Sequence, residues 1–351
     1  MKIELVGDKM RYRIGVLGGG SWGTSLAILL SNNGLDVDMW LRNEQQIEEM
    51  LETRENKKYL PGIKLPNELK VSNDIERTIK GKDIILLSTS SHGIREILLN
   101  NTHYINKNQI IVNVAKGIEN NTLMRVSEIV YEILPENKYA ILSGPSHAEE
   151  VARKIPTTIV SASVDKEVAE YVQDVFMTPY FRVYTNPDVI GVELGGALKN
   201  IIALAAGISD GLGYGDNTKA ALMTRGLFEI ARLGGKMGAN INTFSGLAGV
   251  GDLIVTCTSM LSRNRRAGIL IGQGKSVEEA IEEVGMVVEG IKTTRSAYEL
   301  ANKFDVDMPI TKELYGVLYD GKLVSESVPN LMGREKKFEM ENIISIENLK
   351  W

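Results

Sequence analysis

A lysine near the centre of an unusually apolar segment is the first residue whose chemistry needs an explanation. The segment from Gly191 to Gly207 has a helical pattern in which Glu193, Lys199 and Asn200 are the polar side chains. A helix that is apolar all round is buried, and a buried ammonium group is costly unless it is paired. Because burial lowers the pKa of a lysine, Lys199 could hydrogen-bond a ketone oxygen and deliver a proton to it near neutral pH.

The alternative for Lys199 is a side chain that extends along the apolar face to solvent, and this segment alone does not separate the two. Gly195 and Gly196 lie one turn earlier, and each weakens a helix by about 1 kcal/mol relative to alanine, which indicates close packing against the backbone there. Asp252 lies among apolar residues, with Thr256 four residues later on the same helical face. We therefore expect Asp252 to pair with Lys199, orient it and tune its pKa.

A short basic run follows that aspartate. It reads Ser262-Arg263-Asn264-Arg265-Arg266. One of its arginines could bind a phosphate group through its planar fork. For Arg265 and Arg266 we favour a solvated helix end instead.

Two loops in the first half of the chain also carry polar side chains directly after strand patterns. Lys116 follows the strand that ends near Val114, at the edge where ligands bind in open α/β sheets. Ser146 and Glu149 form a capping-box pattern, which predicts that a helix begins there and offers N–H groups to an anion. Helix capping without any ligand explains that second loop equally well.

A glycine-rich turn between a strand pattern and a helix pattern fits G-x-G-x-x-G. Its glycines would allow a tight turn at Gly18, close approach of a pyrophosphate at Gly20 and tight helix–strand packing at Gly23. An ordinary glycine-rich turn is the alternative, but the position in the first strand–helix–strand unit favours binding of a dinucleotide.

The end of the second strand should then meet the adenosine ribose. NAD-specific sites usually place Asp or Glu there, whereas this chain has Arg42. Since an arginine can pair with a 2′-phosphate, we expect that NADPH is accepted, and the preference between NADPH and NADH stays open. The alternative is an arginine on the surface at the end of a strand.

These residues must be positioned by two kinds of structure. Six strand patterns alternate with helical stretches in the first half: Arg13–Leu17, Asp36–Leu41, Asp83–Leu87, Gln109–Val114, Tyr139–Leu142 and Thr157–Val160. This alternation predicts a Rossmann-type, mostly parallel sheet in an α/β domain over 11–187. Beyond Asn186-Pro187 the patterns are helical, which predicts an all-helical substrate and catalytic domain over 188–340: Val189–Ile208, Lys219–Leu233, Gly249–Leu261, Val277–Glu283, Thr293–Lys303 and Thr311–Tyr319.

Composition narrows the class of protein. The net charge of −5 argues against a nucleic-acid surface, and Cys257 is the single cysteine, which suits a reducing cytosol. The first ten residues do not resemble a signal peptide, and the most apolar stretch, Ile201–Ile208, is too short to cross a bilayer. The three histidines show no metal-ligand spacing, and no G-x-S-x-G motif is present. We therefore expect a cytoplasmic enzyme with a small-molecule substrate, without a metal, a membrane span or a nucleic-acid partner.

Taken together, the motifs resemble those of the bacterial-type NAD(P)-dependent glycerol-3-phosphate dehydrogenases from about Arg13 to Gly333. The motifs that carry this resemblance are Gly-Gly-Gly-Ser-Trp-Gly-Thr at 18–24, Tyr-Leu-Pro-Gly at 59–62, Ala-Lys-Gly at 115–117, Ser-Gly-Pro-Ser at 143–146, Gly-Ala-Leu-Lys-Asn at 196–200, Gly-Ile-Ser-Asp-Gly-Leu-Gly-Tyr-Gly-Asp-Asn at 207–217 and Ser-Arg-Asn-Arg at 262–265. His147 stands where an aromatic or aliphatic residue is more usual, and both chain ends extend beyond the family core. None of these departures lies at a catalytic position.

The resemblance implies reversible reduction of dihydroxyacetone phosphate to sn-glycerol 3-phosphate with NADPH or NADH, commonly by a homodimer. It implies that Lys199 is the proton donor and acceptor, with Lys116 and Asp252 beside it as catalytic residues that also bind substrate. The further substrate-binding residues it implies are Gly144, Ser146, Ser262, Arg263 and Asn264. Besides the three glycines of the turn, the cofactor-binding residues it implies are Ser21, Trp22, Arg42, Lys116, Ala148, Arg263, Val287 and Glu289.

Two other functions remain open from the residues themselves. One is a dehydrogenase with a catalytic lysine that acts on a hydroxy acid or a sugar acid, for which Arg263 would have no phosphate to bind. The other is a redox sensor that binds NAD(P)H without turnover. A sensor has no need of a buried proton donor, so Lys199 and Asp252 argue against it.

Overall fold

The first half of the chain forms one eight-stranded sheet in the computed structural model, which describes residues 12–336 and 339. The strands lie side by side in the order β3-β2-β1-β4-β5-β6-β7-β8. Every neighbouring pair is parallel except β6 and β7, so the prediction of a mostly parallel sheet is confirmed. The strands are β1 Arg13–Leu17, β2 Asp36–Trp40, β3 Lys70–Ser72, β4 Ile84–Leu87, β5 Ile110–Asn113, β6 Tyr139–Ser143, β7 Thr157–Ala162 and β8 Phe181–Asn186.

Two of these strands, β3 and β8, were not predicted, and they form the two edges of the sheet. β3 is three residues long, and β8 alternates buried and exposed side chains only over its first four residues. An edge strand is covered by fewer neighbours, so it carries a weaker apolar pattern than a central strand. The six predicted strands are all present, with ends that differ by at most two residues.

The sheet is buried on both faces. Ile84 and Leu86 of β4 belong to one apolar cluster, whereas the alternate residues Ile85 and Leu87 belong to another on the opposite face. The helices between the strands cover these faces: α1 Ser21–Asn32, α2 Glu44–Thr53, α3 Ile75–Ile79, α4 Ile94–Asn101, α5 Val126–Ile133, α6 Ala148–Ala152 and α7 Lys166–Phe176.

The second half is helical, as predicted. Its helices are α8 Val189–Gly211, α9 Asp216–Lys236, α10 Asp252–Thr258, α11 Arg263–Gly272, α12 Val277–Val284, α13 Glu289–Phe304, α14 Pro309–Tyr319 and α15 Val324–Met332. The central helix α8 supplies much of this half's apolar core. It is the one helix among the described residues that is long and apolar enough to cross a membrane, but 89% of its apolar window is buried within the protein, as expected for a core helix.

Some predicted helix limits are wrong. The helix predicted over Gly249–Leu261 is α10, which covers only seven residues and follows a π-helical turn at Leu247–Gly251. Glycines at the start of that pattern favour the turn rather than a regular helix. The helices α11 and α15 were not predicted. The expectations about the first ten residues and about 340 onward lie outside the described part of the chain.

Candidate active site

A cleft of about 960 Å³ runs between the loops at the carboxyl ends of the strands and the helical half. Most of the predicted site residues line it: Gly18, Gly20, Ser21, Trp22, Arg42, Lys116, Ser146, Ala148, Lys199, Ser262, Arg263, Asn264, Val287 and Glu289. Three predicted residues, Gly23, Gly144 and Asp252, do not line the cleft but support residues that do. Sites at the carboxyl edge of a parallel sheet are the rule in this class of fold.

The base of the cleft holds the lysine singled out in the sequence. Lys199 lies on α8 with 6% of its surface exposed, and its Nζ donates to Oδ1 of Asp252 and to Oγ1 of Thr256, both at 2.6 Å. Its side chain therefore does not extend to solvent. Burial lowers the pKa of Lys199 to about 8; Asp252 opposes that shift and the charge of Lys116 adds to it. The ammonium group is thus held in place and can release its proton near neutral pH.

Asp252 is shared by two lysines. Its other oxygen, Oδ2, accepts from Nζ of Lys116 at 2.7 Å, and the carboxyl group is almost fully buried. Lys116 also donates to the Gly144 carbonyl at 2.9 Å and to Oγ of Ser146 at 3.3 Å. A buried carboxylate that bonds two ammonium groups fixes both of them relative to the cleft.

The paired glycines of α8 permit this arrangement. A Cβ atom at Gly195 would lie 2.4 Å from the carbonyl oxygen of Ala248, in the π-helical turn that leads into Asp252. A Cβ atom at Gly196 would lie 2.7 Å from Oγ of Ser143, at the end of β6. The close approach that the two glycines predicted is therefore present on both sides of the helix, and it brings the elements that carry Lys199 and Asp252 together.

Two polar residues of the site, Thr256 and Asn200, were not predicted from the sequence to belong to it. Thr256 accepts from Lys199 and donates to the Asp252 carbonyl at 2.6 Å. Asn200 donates to the Lys116 carbonyl at 3.2 Å and accepts from Asn264 at 2.9 Å, and Asn264 in turn accepts from the Gly290 N–H. Their adjacency to Lys199 and Asp252, at spacings of one and four residues, was the available signal.

The start of α11 brings Ser262, Arg263 and Asn264 to the cleft. Ser262 caps the helix by accepting from the Arg265 N–H. Burial lowers the pKa of Arg263, and the carboxyl groups of Glu289 and Glu149 oppose that shift. A half-buried cation that faces a cleft is suited to binding an anion.

Glu289, at the first turn of α13, has its pKa raised by burial. Its Oε2 atom is buried and has no hydrogen-bond partner among the described residues. A partner from a bound ligand would satisfy that atom, which fits a position at the cofactor.

Two expectations about local structure are corrected. Arg265 is not at a solvated helix end: it donates to Asp210 on α8 at 2.9 Å and to the Thr258 carbonyl at 2.9 Å, because α11 packs closely against α8.

Ser146 does not cap a helix. His147 holds the N-cap position of α6, and Ser146 instead donates to the Gly144 carbonyl, so the capping-box prediction is wrong.

The glycine turn fits the phosphates of a dinucleotide. Gly18 has a φ of +120°, where a side chain would be strained and would meet Ser88 at 2.9 Å. Beside Gly20, by contrast, a Cβ atom would meet no protein atom within 4 Å, so the backbone is open to the cleft. Gly20 is the N-cap of α1 and offers no side chain to its first turn, which leaves those N–H groups for an anion.

Arg42 follows β2 at the mouth of the cleft. Its guanidinium lies 3.7 Å from the Glu96 carboxylate, and both side chains are mostly exposed. An exposed ion pair of this kind is weak, so Arg42 can leave Glu96 and bind a more highly charged anion instead.

Family comparisons cover nearly the whole described chain. The sequence model described as NAD-dependent glycerol-3-phosphate dehydrogenase N-terminus matches residues 13–169, and the corresponding C-terminus model matches residues 188–329. The chain is 57% identical over 331 residues to a protein of Thermoanaerobacter sp. (strain X514) named glycerol-3-phosphate dehydrogenase (NAD(P)+), covering 94% of this chain and 100% of that one. It is 53% identical to the protein of that name from Bacillus subtilis (strain 168), covering 95% and 97%.

A solved structure gives the same result. The crystal structure of glycerol-3-phosphate dehydrogenase from Coxiella burnetii is similar with a TM-score of 0.90 and 37% sequence identity, over 92% of this chain and 99% of that one. Both the sheet and the helical half of the fold therefore have counterparts in a protein with that name.

Proposed function

The chain belongs to the NAD-dependent glycerol-3-phosphate dehydrogenase family, and from this premise we propose that Lys199 is the proton donor and acceptor of its reaction. The enzyme interconverts dihydroxyacetone phosphate and sn-glycerol 3-phosphate with NAD(P)(H), and glycerol 3-phosphate supplies the backbone of glycerophospholipids. The observation that carries the proposal is the buried ammonium group of Lys199, bonded to Asp252 and Thr256 at the base of the cleft.

The chemistry follows from where charge develops. When bound, the nicotinamide would supply the hydride for the ketone carbon. Negative charge then develops on the ketone oxygen, and a proton must neutralise it. Lys199 donates that proton in reduction and accepts it back in oxidation. Its pKa of about 8 makes both directions accessible near neutral pH. Asp252 and Lys116 are the other catalytic residues in this proposal, since they set the position and charge of Lys199.

The substrate phosphate needs a cation in a partly dry site. We assign that role to Arg263, with Ser262 and Asn264 beside it at the start of α11. Gly144 and Ser146 contact Lys116 and complete the substrate site from the sheet side.

The cofactor would lie along the carboxyl edge of the sheet. The pyrophosphate would be held at Gly18, Gly20, Ser21 and Trp22, and Gly23 would support this part of the cofactor site by letting α1 pack closely on the turn. The remaining cofactor contacts we propose are Arg42, Lys116, Ala148, Arg263, Val287 and Glu289. We further propose that Arg42 pairs with a 2′-phosphate, so that NADPH is preferred over NADH.

The organisation of the chain completes the proposal. Residues 11–187 would be the cofactor-binding domain and residues 188–340 the substrate and catalytic domain, in a cytoplasmic homodimer. The support for the dimer and for the location is the family resemblance. Light scattering on the purified protein tests the dimer, which would have twice the 38.7 kDa mass of one chain.

The first experiment compares wild type with Lys199→Ala. NAD(P)H oxidation with dihydroxyacetone phosphate is followed by absorbance, with each cofactor. General acid catalysis contributes about 10²–10⁴ in rate, so kcat should fall by at least that lower factor in the variant. Folded wild type that oxidises neither cofactor would refute the reaction, and a variant with full activity would refute the role of Lys199.

A further inference from the structure

A buried asparagine contacts the glycine turn from the side that faces away from the cleft. Asn56 lies after α2, just before the Tyr-Leu-Pro-Gly segment at 59–62, and is 1% exposed. Its Nδ2 donates to the carbonyl oxygen of Gly19 at 2.9 Å and to Oγ1 of Thr24 at 2.8 Å. Both donor hydrogens of the amide are thus used inside the turn and the first helix of the cofactor site.

A second amide reaches the same carbonyl. Gln46, on α2, donates to the Gly19 oxygen at 3.3 Å and to Oδ1 of Asn56 at 3.1 Å. The Gln46 N–H bonds in turn to the side chain of Asn43, the residue after Arg42. A continuous chain of hydrogen bonds therefore joins the glycine turn to the segment proposed to meet the 2′-phosphate.

The Gly19 carbonyl matters because of the peptide it belongs to. Gly19 C=O and Gly20 N–H are parts of one planar trans peptide, in which the two groups point in opposite directions. Asn56 does not line the cleft, so a carbonyl directed at it points into the protein. The Gly20 N–H must then point the other way, and the space beside Gly20 is open to the cleft. No described residue accepts a backbone hydrogen bond from this N–H.

We propose that Asn56 is a positioning residue for the cofactor: by holding the Gly19 carbonyl inside the protein, it directs the Gly20 N–H toward the pyrophosphate. This inference rests on the proposed function. A peptide with glycine on both sides has little steric preference of its own, so without the amide donors it would be free to rotate. Asn56 would thus preorganise a phosphate contact that it does not itself make.

The test is direct binding to Asn56→Leu, a variant of similar size without the amide donors. Isothermal titration should show that the Kd values for NADPH and NADH both rise about tenfold, because one well-formed hydrogen bond to the shared pyrophosphate is weakened. ADP, which carries a pyrophosphate, should lose affinity as well, whereas 2′-AMP, which does not, should bind as to wild type. The kcat at saturating cofactor should change by less than about threefold, since no reacting group is altered.

Two further variants separate positioning from loss of stability. Gln46 is half-buried, and Gln46→Leu removes its longer bond to Gly19 and its bond to Oδ1 of Asn56 but leaves the Asn56 donors in place, so the Kd should rise by about threefold in a protein that folds. Asn137→Leu is the matched control: Asn137 is buried and also donates to two carbonyls, those of Asn106 and Gln109, but lies outside the cleft. It should lose stability like Asn56→Leu without any change in Kd.

The inference is overturned by a folded Asn56→Leu that binds NADPH with the wild-type Kd. It is also overturned if the affinities of this variant for ADP and for 2′-AMP fall equally. If Asn56→Leu does not fold, an unchanged Kd in Gln46→Leu overturns it. Wild type that neither binds nor oxidises NADPH would instead refute the proposed function, so the two failures are distinct.

Discussion

At the scale of single residues, the site depends on one buried carboxylate between two lysines. Asp252 accepts from Lys116 and Lys199 through different oxygens, and Lys116 and Asp252 act on the pKa of Lys199 in opposite directions. Removal of either neighbour should therefore move the pH at which Lys199 titrates, and the direction of the shift identifies which neighbour was removed.

The first prediction at this scale concerns pH. Lys199 must be protonated to donate a proton. Above a pH of about 8, kcat/KM for reduction should therefore fall tenfold per pH unit, as expected for the loss of one proton, and kcat/KM for oxidation should rise over the same range. Asp252→Asn removes the charge that opposes the lowering, so the midpoint should move to lower pH. Lys116→Met should move it to higher pH. Rate profiles in both directions measure this, and identical midpoints in all three proteins would contradict it.

The second concerns cofactor choice. Arg42→Ala should raise the KM for NADPH by about tenfold, the size expected for a lost hydrogen bond between charged groups, and change the KM for NADH by less than twofold. Arg182→Ala, on β8 outside the cleft, is the matched control and should change neither. Equal loss with both cofactors would mean that Arg42 does not meet a 2′-phosphate.

At the scale of elements, α8 decides the geometry of the site. It lies in the apolar core of the helical half and carries Lys199. Through Gly195 it packs against the π-helical turn that precedes Asp252. Helix packing at this distance leaves no room for a side chain. The glycine pair therefore lowers helix propensity but permits a close contact between the two elements that carry Lys199 and Asp252.

This predicts the effect of a single methyl group. Gly195→Ala should lower the free energy of unfolding by about 1–3 kcal/mol, because its Cβ would meet the Ala248 carbonyl, and should lower kcat by displacing Asp252. Gly235→Ala, on α9, is the control, since its Cβ would lie 3.6 Å from its nearest neighbours. It should be neutral or stabilise by up to about 1 kcal/mol. Urea denaturation checks both, and equal curves for the two variants would contradict the role of Gly195.

At the scale of the whole molecule, another buried carboxyl group holds α14 against α9. Glu229 on α9 accepts from the N–H groups of Ile310 and Thr311 at the start of α14, and from the Thr311 hydroxyl. Burial raises its pKa to about 7, and those hydrogen bonds partly oppose the shift. This contact lies outside the cleft, so it bears on stability rather than on the reaction.

Stability should depend on pH through Glu229. Its pKa is higher in the folded than in the unfolded chain, so the folded state binds more protons between these values, and stability is lost as pH rises from about 4.5 to about 7. Relative to Glu229→Gln, wild type should lose on the order of 3 kcal/mol of unfolding free energy over that range. Chemical denaturation at several pH values measures the difference. Parallel pH curves for the two proteins would contradict it.

The sequence by itself determined the elements and the residue types of the site. Alternating strand and helix patterns predicted the sheet and the helical half, because a buried face imposes a periodicity on the chain. Lys199 and Asp252 could be paired in advance because an isolated charge in an apolar segment needs a partner. The glycine turn was identifiable because its backbone needs residues without side chains.

Only the tertiary structure decided which neighbours these elements meet. The edge strands β3 and β8 have weak patterns because few neighbours cover them, and Arg265 pairs with Asp210 only because α11 packs on α8. That Asp252 also bonds Lys116, and that Asn56 bonds Gly19, depend on residues 136 and 37 positions apart. Local patterns cannot encode such contacts, since they arise from packing between elements distant in the chain.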